Sequence, residues 1–188
     1  MWKQLFNSFA RKKKKWNTQY AQGFWDGLKS KLEEERFHAV RDFIYKYSDN
    51  GKILEIGCGE GILQAKLNDG SFSKFVGIDL SEVAIKKAAD LQSGIVQYLC
   101  ADMEQFVPSE KYDIIIFNES IYYSSHPERL LKKYMKDLNE NGVFIVSIYE
   151  GTRNLRVLNK LRRNFKSLES KKTINERGCW HCDVYEMP

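Results

Sequence analysis

Three glycines at alternate positions give this chain its clearest chemical signal. They are Gly57, Gly59 and Gly61, within the segment Ile53-Leu-Glu-Ile-Gly-Cys-Gly-Glu-Gly-Ile-Leu63. A short β-type run over 52–56 leads into them, and apolar residues at helical spacing follow. Glycine adopts backbone angles closed to other residues and lets a ligand approach the main chain closely. A strand, a glycine loop and a helix start therefore predict a cradle for a cofactor.

The loop differs from the two common phosphate-binding glycine motifs. The dinucleotide motif G-x-G-x-x-G needs its third glycine where Ile62 stands, and the phosphate loop needs a Lys followed by Ser or Thr. The pattern here is acidic-x-G-x-G-x-G, with Glu55 before the glycines and Glu60 among them. Two carboxylates serve an anionic pyrophosphate poorly and a cationic ligand well. We therefore predict a positively charged cofactor that carries a nucleoside.

Five segments over residues 50–150 resemble, in the right order, the motifs of class I S-adenosylmethionine-dependent methyltransferases. They are Glu55 to Gly61, Val76 to Ser81, Cys100 to Met103, Tyr112 to Glu119 and Leu138 to Val146. The fifth segment departs from the family, because its usual Pro-Gly-Gly turn is Glu-Asn-Gly here. The resemblance implies a doubly wound, mostly parallel seven-stranded α/β sheet. It also implies S-adenosylmethionine as cofactor and S-adenosylhomocysteine as product, and it leaves the methyl acceptor open.

The same resemblance assigns the cofactor to residues that recur through these motifs. Those residues are Glu55, Gly57, Cys58, Gly59, Gly61, Asp79, Leu80, Asp102, Met103, Asn118 and Glu119. Asp79 ends a predicted strand, where a carboxylate can accept from both ribose hydroxyls; otherwise it would cap the next helix, a role open to Ser81. Asp102 either accepts from the adenine amino group or lies in a plain turn. Leu80 and Met103 are expected to sandwich the adenine ring.

The methionyl end of the cofactor calls for an anion site. The glycine loop is predicted to enter a helix N-terminus, whose free N–H groups attract a carboxylate to the main chain of residues 57–59. Arg36 lies on a helix predicted over 30–47 and either grips that carboxylate in bidentate fashion or lies as a solvated charge. Tyr20, Phe24 and Trp25 precede that helix, where they either cover the sulfonium by cation–π contact or pack against the core.

Residues after the fourth predicted strand are expected to face the transferred methyl group, because open parallel sheets bind ligands at the carboxyl ends of their strands. The protein must align the acceptor and remove a proton from a hydroxyl or an ammonium. Glu119 and His126 are the candidate bases, and Tyr122 and Tyr123 are expected either to orient the acceptor or to form a wall of the cofactor site. His126 precedes Pro127, so its alternative role is that of a cap residue in solvent.

These residues must be positioned by strands that alternate with helices, a pattern that predicts a parallel sheet with helices on both faces. The predicted strands cover 52–56, 74–78, 96–100, 112–117 and 142–149. The predicted helices cover 30–47, 61–68, 82–91, 127–138 and 153–166, and two short strands are expected around Gly178. We predict one domain over 1–188, made of a segment that closes the pocket (1–28), a cofactor-binding core (50–150) and a C-terminal helix with strands (151–188).

The composition of the chain limits its class and location. Its 188 residues, 43% of them hydrophobic, suit one globular domain with a real core. No apolar run approaches the roughly 20 residues that span a bilayer, and the N-terminus lacks a signal-peptide core. Four cysteines in a chain of this size do not indicate a disulfide framework. These observations predict a cytoplasmic protein, with peripheral contact at the inner membrane face left open.

The net charge of +5 is concentrated in two places. Residues 1–16 carry six basic residues and no acid, which leaves the remainder at −1, and a second basic zone covers 153–177. The first run follows an amphipathic stretch and would be a solvated tail, a weak membrane contact or a grip on RNA. We favour the membrane over RNA, because the aromatic residues precede the charges rather than interleave with them.

The acceptor is predicted from a finer resemblance. The segments Gln22 to Leu28, Phe117 to Tyr123 and Ile145 to Tyr149 resemble small methyltransferases of surface-polysaccharide and oligosaccharide modification clusters. We therefore expect methyl transfer to an O or N atom of a small acceptor, above all a sugar or glycan precursor. The basic zone over 153–177 would suit an anionic sugar, or else it is a solvated helix. The alternatives are an RNA methyltransferase that uses both basic zones and a non-catalytic cofactor-binding subunit of another chain.

A metal-like spacing near the C-terminus carries less weight. Cys179-Trp-His181-Cys182 has ligand spacing, yet a structural zinc site usually needs a further pair of ligands. The remaining cysteines and histidines belong to other predicted elements, so we expect no metal and no redox role.

Overall fold

The computed structural model describes residues 2–68 and 70–186, and its seven strands form one sheet. The strands are β1 Lys52–Ile56, β2 Lys74–Asp79, β3 Val96–Cys100, β4 Tyr112–Asn118, β5 Leu138–Tyr149, β6 Lys166–Asn175 and β7 Gly178–Glu186. Their order across the sheet is β3-β2-β1-β4-β5-β7-β6. Strands β1 to β5 are parallel, whereas β7 runs antiparallel to both β5 and β6. This order confirms the predicted doubly wound, mostly parallel seven-stranded sheet.

Five α-helices accompany the sheet within the described residues. They are α1 Trp2–Ala21, α2 Glu34–Tyr47, α3 Glu82–Ala88, α4 Pro127–Tyr134 and α5 Thr152–Asn164. Ser81 begins α3 as its cap, with its hydroxyl accepting from the Ala84 N–H at 3.2 Å. Pro127 occupies the first turn of α4, where its missing N–H costs nothing.

Alternating side chains divide the core between the two faces of the sheet. On β1, Ile53 packs with α2 and α3, whereas Leu54 packs with α4 and α5 on the other face. The same alternation continues on β4 with Ile116 and Phe117. The polar residues Glu55 and Asn118 therefore share the face that α2 covers, at the carboxyl ends of their strands.

The prediction of a helix over 61–68 is wrong. After Gly61 the chain makes only one 3-10 turn, Gln64–Lys66, and Leu67 is already extended. The free-energy cost of starting a helix is offset only when several turns of hydrogen bonds follow. This segment must return to β2 within a few residues, so those turns cannot form. The expected helix N-terminus after the glycine loop is therefore absent from this described segment.

Other elements differ from the prediction mainly in length. The basic run lies inside α1, which continues to Ala21. The amphipathic stretch that precedes this run lies mostly at residues 1–8, whose side chains are outside the described part of the chain. Helix α4 ends at Tyr134, and β5 begins at Leu138 with a register shift where it meets β4. The two short C-terminal strands are instead a long hairpin of β6 and β7. None of the described helices is both long and apolar enough to cross a bilayer.

Candidate active site

A cavity of about 600 Å³ opens at the carboxyl ends of the central strands. Its walls come from both ends of the chain as well as from the predicted core, since Lys12 and Trp180 both line it. Parallel sheets bind ligands at this place because loops from neighbouring strands converge there. The cavity contains nearly all of the predicted cofactor and catalytic residues.

The glycine loop is shaped by left-handed backbone angles, with φ of +81° at Gly57, +56° at Gly59 and +77° at Gly61. A Cβ added to Gly57 would lie 2.5 Å from the Ser120 Cβ, and one on Gly59 would lie 2.8 Å from the Tyr20 hydroxyl. Gly61 instead faces the Tyr98 hydroxyl and does not line the cavity. Two of the three glycines therefore shape the site, and the third fits a packing contact.

The N–H groups of this loop are already used by the protein. Those of Gly57 and Cys58 donate to the Ile78 carbonyl at 2.8 and 2.9 Å, and that of Gly59 donates to the Asp79 Oδ2 at 3.0 Å. The expectation that these groups receive a methionyl carboxylate is therefore not met by this geometry. The loop offers close main-chain surface, and the Cys58 thiol is buried with its pKa raised well above its ordinary value by desolvation.

Asp79 ends β2 with its carboxylate in the cavity. Its Oδ1 accepts from the Ser81 N–H at 2.8 Å and its Oδ2 from Gly59, so both oxygens are fixed in position. Burial raises the pKa of Asp79 to about 6 despite these hydrogen bonds. Each oxygen keeps a further lone pair for a hydroxyl donor. The helix-capping alternative belongs to Ser81, as described above.

Leu80, Asp102 and Met103 line the neighbouring part of the cavity together, as an adenine site requires. The Asp102 Oδ1 accepts from the Glu104 N–H at 2.9 Å, which is a turn contact. Its Oδ2 has no hydrogen-bond partner among the described residues and is open to an amino group. The Met103 carbonyl is fixed by the Tyr134 hydroxyl at 2.9 Å.

Arg36 is buried, with 2% of its surface exposed, so it is not a solvated helix charge. Its Nε donates to the Glu33 Oε2 and its Nη1 to the Asn118 Oδ1 at 3.2 Å. Glu33 also accepts from the Arg177 Nη1 at 2.7 Å. Neither Glu33 nor Arg177 was predicted as a site residue, because their contact joins the turn before α2 to the turn between β6 and β7.

Glu55 is 1% exposed and keeps one carboxylate oxygen, Oε2, without a hydrogen-bond partner. Burial raises its pKa to about 8, opposed by a hydrogen bond from Asn118 and by the charge of Arg36. The residue lines the cavity. An unpartnered buried carboxyl group favours a ligand that brings a positive charge or a donor.

Glu119 lies just after β4 with φ of +57°, which is uncommon outside glycine. Its Oε1 accepts from the Ser147 hydroxyl at 2.7 Å, and its Oε2 accepts from the Tyr122 hydroxyl at 2.9 Å and the Tyr149 N–H at 2.8 Å. Burial raises the pKa of Glu119, which the Arg36 charge and these donors oppose. Glu119 and Tyr122 both line the cavity.

His126 is not brought to the cavity. Its side chain is exposed at the start of α4, and its carbonyl accepts from the Leu130 N–H at 2.9 Å. The reason is local, because Pro127 begins a helix that turns the chain away from the site. This placement matches the cap position rather than the position of a base.

An aromatic cluster from the N-terminal part of the chain covers the cavity. Trp16 stacks on Trp25 with ring centroids 5.8 Å apart and meets Tyr123 edge-on at 4.7 Å, while Tyr20 lies 6.2 Å from Trp25. The Trp25 Nε1 is buried without a hydrogen-bond partner. Phe24, by contrast, is 67% exposed and is not part of the lining. Trp16 was not predicted, since its helix appeared in the sequence only as a basic run.

The far end of the cavity is formed by C-terminal residues that were not predicted as site residues. Trp180 and Tyr149 meet edge-on with centroids 5.4 Å apart, next to Asn154, whose amide donates to the Tyr149 carbonyl at 3.1 Å. Arg153 also lines this end and has no ion-pair partner among the described residues. Their contribution follows from the antiparallel pairing of β7 with β5, which the sequence analysis did not include.

Comparisons with known proteins agree with this geometry. A family model described as a methyltransferase domain matches residues 32–185. Nodulation protein S of Azorhizobium caulinodans is 32% identical over 125 residues, which cover 64% of this chain and 60% of that protein. A malonyl-[acyl-carrier protein] O-methyltransferase of Anoxybacillus flavithermus is 34% identical over 99 residues, or 52% of this chain and 38% of that protein. The chain thus spans less than two thirds of these relatives.

Among solved structures, the N-methyltransferase NodS of Bradyrhizobium japonicum WM9 in complex with S-adenosylhomocysteine superposes with a TM-score of 0.78. The match covers 92% of this chain and 98% of that chain, at 18% sequence identity. At this identity the likeness concerns the fold.

Proposed function

This chain belongs to the methyltransferase-domain family, as its motifs predicted, and we propose that it transfers the methyl group of S-adenosylmethionine to an O or N atom of a small, anionic, sugar-containing acceptor. The observation that carries the acceptor proposal is one cavity that holds the Glu119 carboxylate and, at its far end, the Trp180–Tyr149 pair with Arg153.

The cofactor occupies the half of the cavity formed by the predicted motif residues. Asp79 accepts from the ribose hydroxyls, Asp102 from the adenine amino group, and Leu80 and Met103 flank the base. The methionyl part then lies toward Glu55 and Asn118, where an unpartnered carboxyl oxygen meets its positive charge. Because the loop N–H groups are occupied, Arg36 is the residue that serves the methionyl carboxylate.

The acceptor occupies the half that Trp180, Tyr149 and Arg153 line. Aromatic side chains present apolar faces next to polar groups, which suits the alternating C–H and O–H surface of a sugar. An arginine without an internal partner is suited to a phosphate or carboxylate, because its guanidinium forms paired hydrogen bonds with either. One relative is, by its name, an O-methyltransferase of a malonyl group, whose free carboxylate is compatible with the anionic part of this proposal.

Methyl transfer then needs only alignment and one proton acceptor. The acceptor oxygen or nitrogen attacks the methyl carbon in line with the departing thioether, which the cofactor supplies. Glu119 takes the acceptor proton, with Tyr122 holding its carboxylate in place.

The test is a panel of phospho-sugars and nucleotide-sugars, with neutral sugars for comparison, and S-adenosylhomocysteine release as the readout. We expect turnover with at least one anionic sugar. Arg153→Gln should raise its KM about tenfold, the usual value of one lost charge-assisted contact. Arg156→Gln is the matched control, since Arg156 is exposed on the same helix and does not line the cavity. Turnover with RNA and with none of the sugars would favour the RNA methyltransferase instead. If the chain turns over no acceptor until another chain is added, the partner-subunit alternative would replace the proposal.

We also propose weak contact between α1 and an anionic membrane surface. Lys14 and Lys15 are exposed on this helix, whereas Lys13 is paired with Glu82 and Lys12 lines the cavity. Each exposed cation contributes about 1 kcal/mol near an anionic surface. Sedimentation with phosphatidylserine vesicles should be reduced in a Lys14→Gln, Lys15→Gln variant, and equal sedimentation of both proteins would contradict the contact.

A further inference from the structure

A second group of chemically active side chains lies on the side of the β5–β7 pair away from Trp180. Glu150 immediately follows β5, and Cys179 and His181 are alternate residues of β7, so their side chains project from the same face. Backbone pairing holds the group together, since the Glu150 N–H donates to the Cys179 carbonyl at 2.7 Å. The cluster does not line the cavity and takes no part in the proposed methyl transfer.

The three ligand atoms are close enough to share one ion. The Glu150 Oε2 lies 2.8 Å from the His181 Nε2, the Cys179 Sγ lies 4.0 Å from the same nitrogen, and all three atoms fall within 4.8 Å of one another. Around tetrahedral zinc, ligand atoms bound at about 2.0 to 2.3 Å lie roughly 3.3 to 3.7 Å apart. The two distances to the His181 Nε2 differ from this range by about 0.5 Å or less, which small side-chain rotations can supply.

We propose that Glu150, Cys179 and His181 bind a Zn²⁺ ion, with the fourth position open to water. Thiolate, imidazole and carboxylate are the ligands that zinc uses in proteins, and Co²⁺, which is also a borderline ion, accepts the same set. Binding releases the thiol proton of Cys179 to solvent, because the thiolate is the ligand form.

This ligand set differs from the Cys-Trp-His-Cys spacing of the sequence, from which we predicted no metal site. Cys182 follows His181 directly and therefore projects from the opposite face of β7, where it is 2% exposed within the core beside α2. Glu150 takes its place, a contact that depends on the pairing of β5 with β7 and has no counterpart in sequence spacing.

Lys172 competes with a metal ion for the Glu150 carboxylate. It lies opposite His181 on β6, and its Nζ is 3.3 Å from the Glu150 Oε2. The lysine side chain is about half exposed, so it can move to solvent when an ion binds. Its positive charge opposes metal binding. Replacing Lys172 should therefore strengthen metal binding, whereas replacing a ligand should weaken it.

The bound ion would fasten the end of β5 to the beginning of β7. Tyr149 and Trp180, which form the far end of the cavity, are the direct chain neighbours of Glu150 and of the two β7 ligands. Any ligand that binds only the folded state raises its stability by mass action. Zinc would thus stabilise the pair of strands that carries the acceptor half of the site.

The experiment is a Co²⁺ titration of the purified full chain under reducing conditions, monitored by thiolate-to-cobalt charge-transfer absorption. We expect one saturable site, with the absorption lost in Cys179→Ser and the affinity lowered at least tenfold in His181→Asn. Cys100→Ser is the control, because Cys100 is an exposed cysteine on β3, at the opposite edge of the sheet. Lys172→Gln should bind Co²⁺ about three to tenfold more tightly, since a repelling charge is removed.

Thermal unfolding provides a second measurement that does not depend on the absorption. Zn²⁺ should raise the Tm of the unaltered chain and of Cys100→Ser, and it should not raise that of Cys179→Ser. The cluster is a hydrogen-bonded ion-pair group and not a metal site if Cys179→Ser and His181→Asn bind Co²⁺ as tightly as the unaltered chain. Weaker binding by Lys172→Gln would likewise overturn the proposal.

Discussion

Two carboxyl groups of different acidity, the buried Glu55 and the partly buried Asp79, face the cofactor half of the cavity. Burial raises the pKa of Asp79 to about 6 and that of Glu55 to about 8. In the free protein at pH 7, Asp79 is therefore mostly ionised and Glu55 mostly protonated. Because their pKa values are raised in the folded state, ionisation of either group costs folding stability as the pH rises. A ligand with hydroxyl donors and a positive charge stabilises the ionised carboxylates, so its binding favours the ionised form of both groups.

Cofactor affinity should consequently rise with pH in two steps, near pH 6 and near pH 8. Calorimetry with S-adenosylmethionine between pH 5 and 9 measures the affinity across both steps. Within a step the affinity rises up to tenfold per pH unit, in the range where the carboxyl group is protonated in the free protein and ionised in the complex. Asp79→Asn should weaken binding and remove the lower step, whereas Glu55→Gln should remove the upper step alone. An affinity that stays constant or increases toward acid pH would contradict the placement of the cofactor between these groups.

Glu119 combines an uncommon backbone angle with a carboxylate held by three donors. Glu119→Gln is a mild change, because the amide oxygen can keep the hydrogen bonds from Tyr122 and Tyr149 while its NH₂ donates to the Ser147 hydroxyl. Only the capacity to take a proton is lost.

We expect Glu119→Gln to lower kcat by about 10² to 10⁴, the usual contribution of general base catalysis, with little change in cofactor affinity. Single-turnover measurement of S-adenosylhomocysteine formation, together with cofactor binding, separates the two effects. Ser147→Ala is a useful comparison, since it removes one donor and keeps the carboxylate. A Glu119→Gln variant with full turnover would exclude this residue as the base.

At the scale of elements, helix α1 is attached to the cofactor-binding part through α3. The Ser81 hydroxyl donates to the Asn17 Oδ1 at 2.8 Å, the Lys87 Nζ donates to the Tyr20 carbonyl at 2.9 Å, and Lys13 pairs with Glu82. These contacts hold Trp16 and Tyr20 over the cavity. Closure by the N-terminal segment is then controlled by a few polar contacts outside the lining.

Asn17→Ala should therefore speed cofactor release without changing a residue that lines the cavity, because it removes only the acceptor of the Ser81 hydroxyl. Loss of one such hydrogen bond costs about 1 kcal/mol, which corresponds to about a fivefold faster dissociation. The dissociation rate is measured by stopped-flow tryptophan fluorescence as S-adenosylhomocysteine is displaced. Thr18→Ala is the matched control, since Thr18 is exposed on the same helix and does not line the cavity. Equal dissociation rates in both variants would show that α1 does not close the site.

The elements themselves were predicted to different degrees, for physical reasons. Strands such as β1 and β4 were found because buried parallel strands are continuous apolar runs that end at polar site residues. The helix after Gly61 was overestimated because apolar spacing does not reveal how few residues remain before β2. Of the two hydrogen-bond partners of Arg36, Glu33 lies only three residues away, whereas Asn118 depends on the packing of α2 against the sheet, which no local pattern encodes.

At the scale of the whole molecule, the cavity joins parts of the chain that are far apart in sequence. Trp16 and Trp25 form one side, the motif residues form the floor, and Trp180 forms the far end. The resemblance over 50–150 could supply only the floor. The N-terminal and C-terminal walls emerge when α1 packs on α3 and β7 pairs with β5.

A site built in this way couples cofactor binding to the folding of the entire chain, which tests the prediction of one domain over 1–188. Thermal unfolding should show a single transition, and S-adenosylhomocysteine at 100 times its Kd should stabilise the folded state by about 2.7 kcal/mol. In a chain of this size that corresponds to a rise in Tm of about 5 to 10 °C. NADH is the control and should leave the Tm unchanged, since the N–H groups of residues 57–59 already donate within the protein and are not available to a pyrophosphate. Two transitions, of which the cofactor moves only one, would mean that an end of the chain folds apart from the cofactor-binding core.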